Sequence, residues 1–295
     1  MTKVNGKRIK VADIVIFLII ALLALLCLIP LLNIVAISFS SSAAATANIV
    51  GILPVDITFN AYTKILDDAQ FWRSFFISVK RVVLGTGINM LMTILMAYPL
   101  SKSKREFHAQ GIYMKLIIFA MLFPAGLIPL YLVVNKLGLT NTIWSLILPG
   151  AVPIGNVILL MNFFRAVPES LEEAASIDGA SPWTILFKVY FPTSLPCLAT
   201  LTLFCIVGHW NDYFSAILYI TKTKNYPLQT YIQQITAVFD YSSITNLQKQ
   251  KEALSISSRN LNSAKIVVST IPLLLIYPFL QRYFVSGIIL GAVKE

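Results

Sequence analysis

Residues 168–192 read P-E-S-L-E-E-A-A-S-I-D-G-A-S-P-W-T-I-L-F-K-V-Y-F-P, a polar interval between two apolar runs. Four of the chain's thirteen acidic residues lie here (Glu169, Glu172, Glu173 and Asp178), which sets the stretch apart from its surroundings. Pro168 suits a helix start, and Glu169, Glu172 and Glu173 place negative charge near that helix's positive end. Leu171, Ala174 and Ala175 are spaced to share a face. Gly179 is a stop in the left-handed conformation, and Ser181 caps a second helix that opens with Pro182 and runs to Pro192. The predicted unit is a helix, a glycine turn and a second helix at a membrane surface. It is either an amphipathic loop resting on lipid or a docking element for another protein. Lipid-binding helices usually carry Lys and Arg on their polar face. This one is acidic, which favours a protein partner, and its alanines permit close approach to a groove.

Composition supplies the membrane. Of 295 residues, 57% are hydrophobic and only 12% charged, against about 25% charged in a soluble domain. Several apolar runs approach the length of a bilayer crossing, so the fold class is all-α and polytopic. The net charge of +10 comes from basic residues clustered beside apolar spans, as the positive-inside rule expects, and not from a nucleic-acid surface. Cys27, Cys197 and Cys205 fall in or beside apolar spans and form neither a disulfide framework nor a metal-ligand spacing. His108 and His209 lie in different regions, so no histidine-rich metal site is expected.

Outward from the opening stretch, six transmembrane helices are predicted, with both termini in the cytosol. Residues 1–12 form a cytosolic N-terminus carrying Lys3, Lys7, Arg8 and Lys10. Residues 13–73 hold the first helix, about Ile14 to Ile37, and an external loop. The small residues that follow this helix imitate a signal peptide, but the run is longer than the roughly 7–15 residues of a signal core. Phe59 to Trp72 suggests a short interfacial helix. Residues 74–290 form a core of five helices, about Val82–Leu100, Ile112–Val134, Ile143–Phe164, Leu198–Ile220 and Ile266–Leu290, with the loop at 168–192 facing the cytosol. Pro124, Pro129, Pro149, Pro153, Pro272 and Pro278 fall inside these spans, which is tolerated where neighbours or a cavity satisfy freed carbonyls. Lys80 and Arg81 flank the second span, and the 291–295 tail is cytosolic. The basic excess of the external 221–263 segment (Lys222, Lys224, Lys249, Lys251 and Arg259 against Asp240 and Glu252) runs against the charge rule, which its length partly excuses.

Glu173-Ala174-Ala175, Gly179 and Val189-x-Phe191-Pro192 resemble the E-A-A-x3-G-x9-I-x-L-P motif of ABC importer permeases, with Val189 and Phe191 as conservative departures. A-Y-P-L-S-K (97–102), L-G-L-T-N-T (137–142), W-N-D-Y-F (210–214) and Q-R-Y-F-V-S-G-I-I-L-G-A-V-K (281–294) resemble the carbohydrate-uptake branch, the maltose-type inner permeases, and the closing stretch resembles its permeases for complex oligosaccharides. The resemblance covers roughly Ser74 to the C-terminus and implies a type I ABC importer permease architecture in the bacterial cytoplasmic membrane. It implies a second homologous permease subunit, a cytosolic ATPase dimer that binds ATP and Mg, and an extracytoplasmic sugar-binding protein. It makes the loop a coupling helix, with Glu172, Glu173, Ala174, Ala175, Asp178, Gly179 and Pro192 as coupling residues. No phosphate-binding loop is present in the sequence, so no cofactor is expected on this chain and ATP hydrolysis is expected from the partner.

Carbohydrate sites use aromatic faces and amide or carboxylate groups. Trp210, Asn211, Asp212, Tyr213, Asn89 and Asn156 are the candidates for a sugar path, with Asn162 another amide of that kind. Asp212 within a span is expected to face a cavity or a partner group. The W-N-D-Y-F pattern, as a feature of the whole resembled family, favours a structural or gating role over sugar selection, and each asparagine is more often an interhelical hydrogen-bond residue. His209 and Asp212 at i, i+3 lack a nucleophile or metal set, which argues against an intramembrane enzyme. A passive channel leaves the acidic loop unexplained. A peptide or amino-acid importer is the alternative substrate class, since the loop motif alone does not discriminate.

Overall fold

The computed structural model describes residues 11–237 and 259–292, without the side chains of 11–13, 237 and 279–292. The basic N-terminal residues, Lys249, Lys251, Asp240 and Glu252, and Val293 and Lys294 of the closing stretch lie outside the described residues. Among the described residues every regular element is helical. Three helices are long and apolar enough to cross a membrane, and up to six crossings result if each of three bent helix pairs counts as one.

The chain forms two compact units. The first comprises Met1–Asp68 and Ile235–Ser269. Helix α1 (Val11–Ser38) exposes apolar side chains on all sides from Ile14 to Leu32, as a helix facing lipid or another chain does. Its end is fastened by hydroxyl groups: Ser40 Oγ donates to Ala36 O at 2.7 Å and accepts from Val55 N at 3.0 Å. Ser41 caps the short α2 (Ser42–Thr46), and Ala36, Ile37, Ala44, Ala45 and Val50 make a small core. The expected interfacial helix from Phe59 to Trp72 is divided: α3 spans Asn60–Leu66, and Trp72 belongs to the next helix. Within the same unit Lys265 Nζ meets Asp68 Oδ2 at 2.6 Å.

The second unit comprises Ala69–Gln234 and Thr270–Glu295. It is built on α4 (Ala69–Ser101), one unbroken helix of 33 residues, about 50 Å at 1.5 Å per residue. The helix starts earlier than the second span was expected to, because nothing between Ala69 and Val82 breaks it. Lys80 and Arg81 therefore lie within the helix, not at its edge. Its buried residues are Phe71, Ser74, Ser78, Arg81, Gly85, Asn89, Thr93, Ala97 and Leu100, a seam at three- and four-residue steps made largely of small and polar side chains. Helices approach closely over such a seam.

Around α4 lie broken helices. The third span is α5 (Gln110–Leu122) and α6 (Leu127–Lys136), bent by 111° after Phe123. Gly126, at φ +80°, takes a conformation that costs other residues steric strain. The fourth is two 3₁₀ turns (Ile143–Leu146, Leu148–Gly150) followed by α7 (Ile154–Arg165), bent by 47°. Next come α8 (Glu169–Ile177), α9 (Pro182–Ile185), a π turn (Leu186–Tyr190) and α10 (Phe191–Thr193), which bend by 84° into α11 (Leu195–Asn211). The fifth span was expected as one helix to Ile220. It ends instead at Asn211, since Asp212 is extended, and resumes as α12 (Phe214–Tyr219). Helix α13 (Leu228–Ala237) and α14 (Arg259–Ala292), with Pro272 and Pro278 inside it, complete the described chain. The L-G-L-T-N-T turn is held by Asn141, at φ +61°, whose Oδ1 accepts from Thr221 N at 2.7 Å and Lys222 N at 3.2 Å.

Candidate functional site

Helix α8 is made by local signals. Pro168 precedes it, and Glu169 and Glu172 occupy its first turn. At its end Gly179 N donates to Ser176 O and Ala180 N to Ala175 O, both at 3.0 Å, with Gly179 at φ +75°. These two bonds and the left-handed glycine form a Schellman stop. Ser181 Oγ then accepts from Thr184 N at 3.3 Å, and Pro182 stands at the first helical position of α9. Pro192 has no amide hydrogen to offer Lys188 O, and the widened π turn ends two residues before it, at Tyr190.

The expected coupling residues divide by direction. Glu173, Ala174, Asp178, Gly179 and Pro192 are exposed, together with Leu171 (45%), Ile177 (87%), Trp183 and Phe187. Ala175 packs partly against the core. Glu172 points inward: it pairs with Lys102, just past the end of α4, and accepts from Tyr190 Oη at 2.5 Å. Lys102 Nζ also lies 4.6 Å from the ring centroids of both Tyr98 and Tyr190, a cation over two aromatic faces. Nearby, Ser103 N and Oγ both donate to Glu106 Oε2 at 2.9 Å. The backbone donor, against an opposing effect of burial and helped by the hydroxyl and the charge of Lys102, holds the Glu106 carboxyl below its usual pKa.

A second site lies midway along α4. Where a helix breaks inside an apolar layer, its carbonyls need donors. Two α4 side chains provide them. Arg81, 2% exposed, donates to Asp212 O at 2.7 Å and Leu146 O at 3.3 Å, and forms an ion pair with the Asp212 carboxylate. Asn89 donates to Gly150 O at 2.7 Å, and its Oδ1 lies 2.6 Å from His209 Nε2. Asp212 Oδ1 also accepts from Ser215 N at 3.1 Å, which helps start α12. Gly85 makes room for this junction, since a Cβ there would lie under 3.0 Å from three atoms of the His209 ring.

Arg81, Asn89, Asn156, His209 and Asp212 border one cavity of about 360 Å³. Asn156 contributes an amide whose one described contact is Cys205 Sγ at 3.4 Å. Of the six expected path residues, Asn89, Asn156 and Asp212 thus come together. Trp210 is buried with its ring 5.9 Å from that of Phe75, while Asn211 and Tyr213 are exposed, and these three do not line the cavity. Asn162 is exposed. Arg81, His209 and Lys102 were not expected as site residues. The polar members of the α4 seam were the available signal for Arg81.

Similarity to known proteins bears on what this arrangement belongs to. Protein LplC of Bacillus subtilis (strain 168) is 38% identical over 98% of this chain and 97% of its own length. The polygalacturonan/rhamnogalacturonan transport system permease protein YtcP of the same organism is 38% identical over 88% of this chain and 90% of its own. Among solved structures, a chain of a bacterial ABC transporter involved in the import of the acidic polysaccharide alginate superposes with a TM-score of 0.84 at 34% identity, covering 95% of this chain and all of that one. Residues 87–290, which include α8 and most of the cavity, match the family described as the binding-protein-dependent transport system inner membrane component, and the chain belongs to that family.

Proposed function

We propose that this chain is the permease subunit of an ATP-driven importer that moves oligosaccharides across the bacterial cytoplasmic membrane by alternating access. The observation that carries this reading is α8: its inner side is fixed by Glu172, while Leu171, Ala174 and Ile177 stand exposed, covered by no element among the described residues. In this reading six spans place both termini in the cytosol, and α8 meets a groove on an ATPase dimer that holds ATP and Mg. A second homologous permease completes the pathway, and an extracytoplasmic sugar-binding protein delivers the substrate. The descriptions of the relative and the solved structure, which concern polygalacturonan or rhamnogalacturonan and alginate, support a saccharide substrate over a peptide.

The chemistry assigned to this chain is positional. Exposed Glu173, Ala174, Asp178 and Gly179 receive the movement of the ATPase. The polar cavity beside α4 offers amide groups, Asn156 foremost, to sugar hydroxyls. The Arg81–Asp212 pair is neutral overall and satisfies broken backbone, which suits a wall that must let substrate pass without trapping it. Reconstitution of the complete transporter into vesicles, with uptake measured over a panel of oligosaccharides and peptides, tests the reading. ATP-dependent uptake of saccharide supports it; uptake of peptide alone rejects it.

A further inference from the structure

We propose that Lys102 is a positioning residue, the joint through which α8 moves α4 and thereby the cavity wall. The proposal rests on the reading of α8 as the coupling helix and assigns a route for its movement inside this chain. Lys102 is bound on several sides: its ammonium pairs with Glu172, lies 3.3 Å from Tyr190 Oη, and sits over the Tyr98 and Tyr190 rings. The Lys102 and Glu172 side chains are only 11% and 19% exposed and bond each other at the base of a cavity of about 520 Å³ that Glu173 also lines, so their pairing lies beneath the outer face of α8. Their interaction therefore acts within the permease.

What Lys102 is attached to gives the joint its reach. The end of α4 is also held at Leu100 O, which accepts from Arg165 at 3.0 Å and from Gln110 at 3.3 Å. From there α4, which carries Pro99 in its last turn, continues as helix to Arg81, about 30 Å away at 1.5 Å per residue. Arg81 and Asn89 are, among the described residues, the two α4 side chains that donate to the broken segments around the cavity. A shift of α8 that carries Glu172 with it pulls on Lys102, and a continuous helix passes that shift to the Arg81 and Asn89 contacts. Glu173, one residue from Glu172, faces outward, so adjacent carboxylates on α8 divide the work of receiving and transmitting.

The test uses the complete transporter in vesicles and reads ATP hydrolysed per saccharide imported. Lys102→Met keeps the stem and removes the charge; Tyr190→Phe keeps the ring and removes the hydroxyl that bonds Glu172. Lys102→Arg keeps a cation suited to both the carboxylate and the rings. Lys102→Met should raise the ratio several-fold and Tyr190→Phe should raise it less, while Lys102→Arg returns it toward wild type. A purely structural role predicts less assembled transporter at an unchanged ratio. That result, or an unchanged ratio in both Lys102→Met and Tyr190→Phe, overturns the proposal. Glu173→Lys, on the outer face, separates the two readings. If it abolishes uptake while the Lys102 ratio stays normal, only the joint fails; if it leaves uptake normal, the coupling role of α8 fails first.

Discussion

Replacing Arg81 by Met removes a buried cation from the middle of α4 while preserving the length of its stem. The structure gives the size of the effect. The variant loses the bonds to Asp212 O and Leu146 O and leaves the Asp212 carboxylate with Ser215 as its remaining described partner. Removing one member of a buried ion pair costs about 3–5 kcal/mol. The Asp212 side chain keeps 30% of its exposure through the cavity, so the lower end, about 3 kcal/mol, is expected. At about 2–4 °C per kcal/mol for a unit of this size, the melting temperature of the purified protein in detergent should fall by roughly 6–12 °C. Adding Asp212→Asn removes the stranded charge, so the double variant should be more stable than Arg81→Met alone. If the two substitutions add, or if Arg81→Met shifts melting by less than about 2 °C, the pair does not hold the break together and the account of the cavity wall is wrong.

Two further substitutions probe the glycines. Gly85→Ala should destabilise by about 1–3 kcal/mol, because the new Cβ meets a His209 ring that Asn89 holds in place. Combining it with His209→Ala should recover most of that loss in the same melting assay; an unrelieved double variant would show that the clash is not the cause. Gly179→Ala meets no atom within 4 Å, so its cost is the left-handed backbone alone, about 1–2 kcal/mol, with Gly179→Asn losing less. Uptake should follow the order Gly, Asn, Ala with membrane insertion intact, and equal uptake in all three removes the turn from the mechanism.

The opening stretch was the most legible part of the chain because its signals are local. Gly179, Ser181 and Pro182 each act within a few residues, and each takes the role its chemistry predicts. Pro124 and Pro153 likewise marked breaks, whereas Pro272 and Pro278 lie inside the continuous α14, and the sequence could not tell a kink from the 111° bend between α5 and α6. What spacing along one element could not reveal was pairing between elements. Arg81 and Asp212 are 131 positions apart, and Lys102 and Glu172 are 70 apart. Arg81 consequently read as a flank of the second span, and Glu172 read as a coupling residue alongside Glu173. Trp210 shows the limit of residue-type reasoning: an indole suits a sugar face, yet here it packs against Phe75. Helix α4 also began before its apolar centre, since an aromatic, amphipathic first third continues a helix as well as a lipid-soluble one.

The central claim, that this chain conducts saccharide under the control of α8, is tested most directly by uptake into vesicles holding the permease pair, the ATPase and the binding protein. Labelled oligogalacturonates, alginate oligomers, neutral oligosaccharides and peptides should be compared with and without ATP, for the unaltered chain and for Glu173→Lys. The account predicts ATP-dependent uptake of at least one saccharide class, lost in Glu173→Lys although the variant remains in the membrane. Saccharide uptake that proceeds equally without ATP, or equally in the variant, would contradict it.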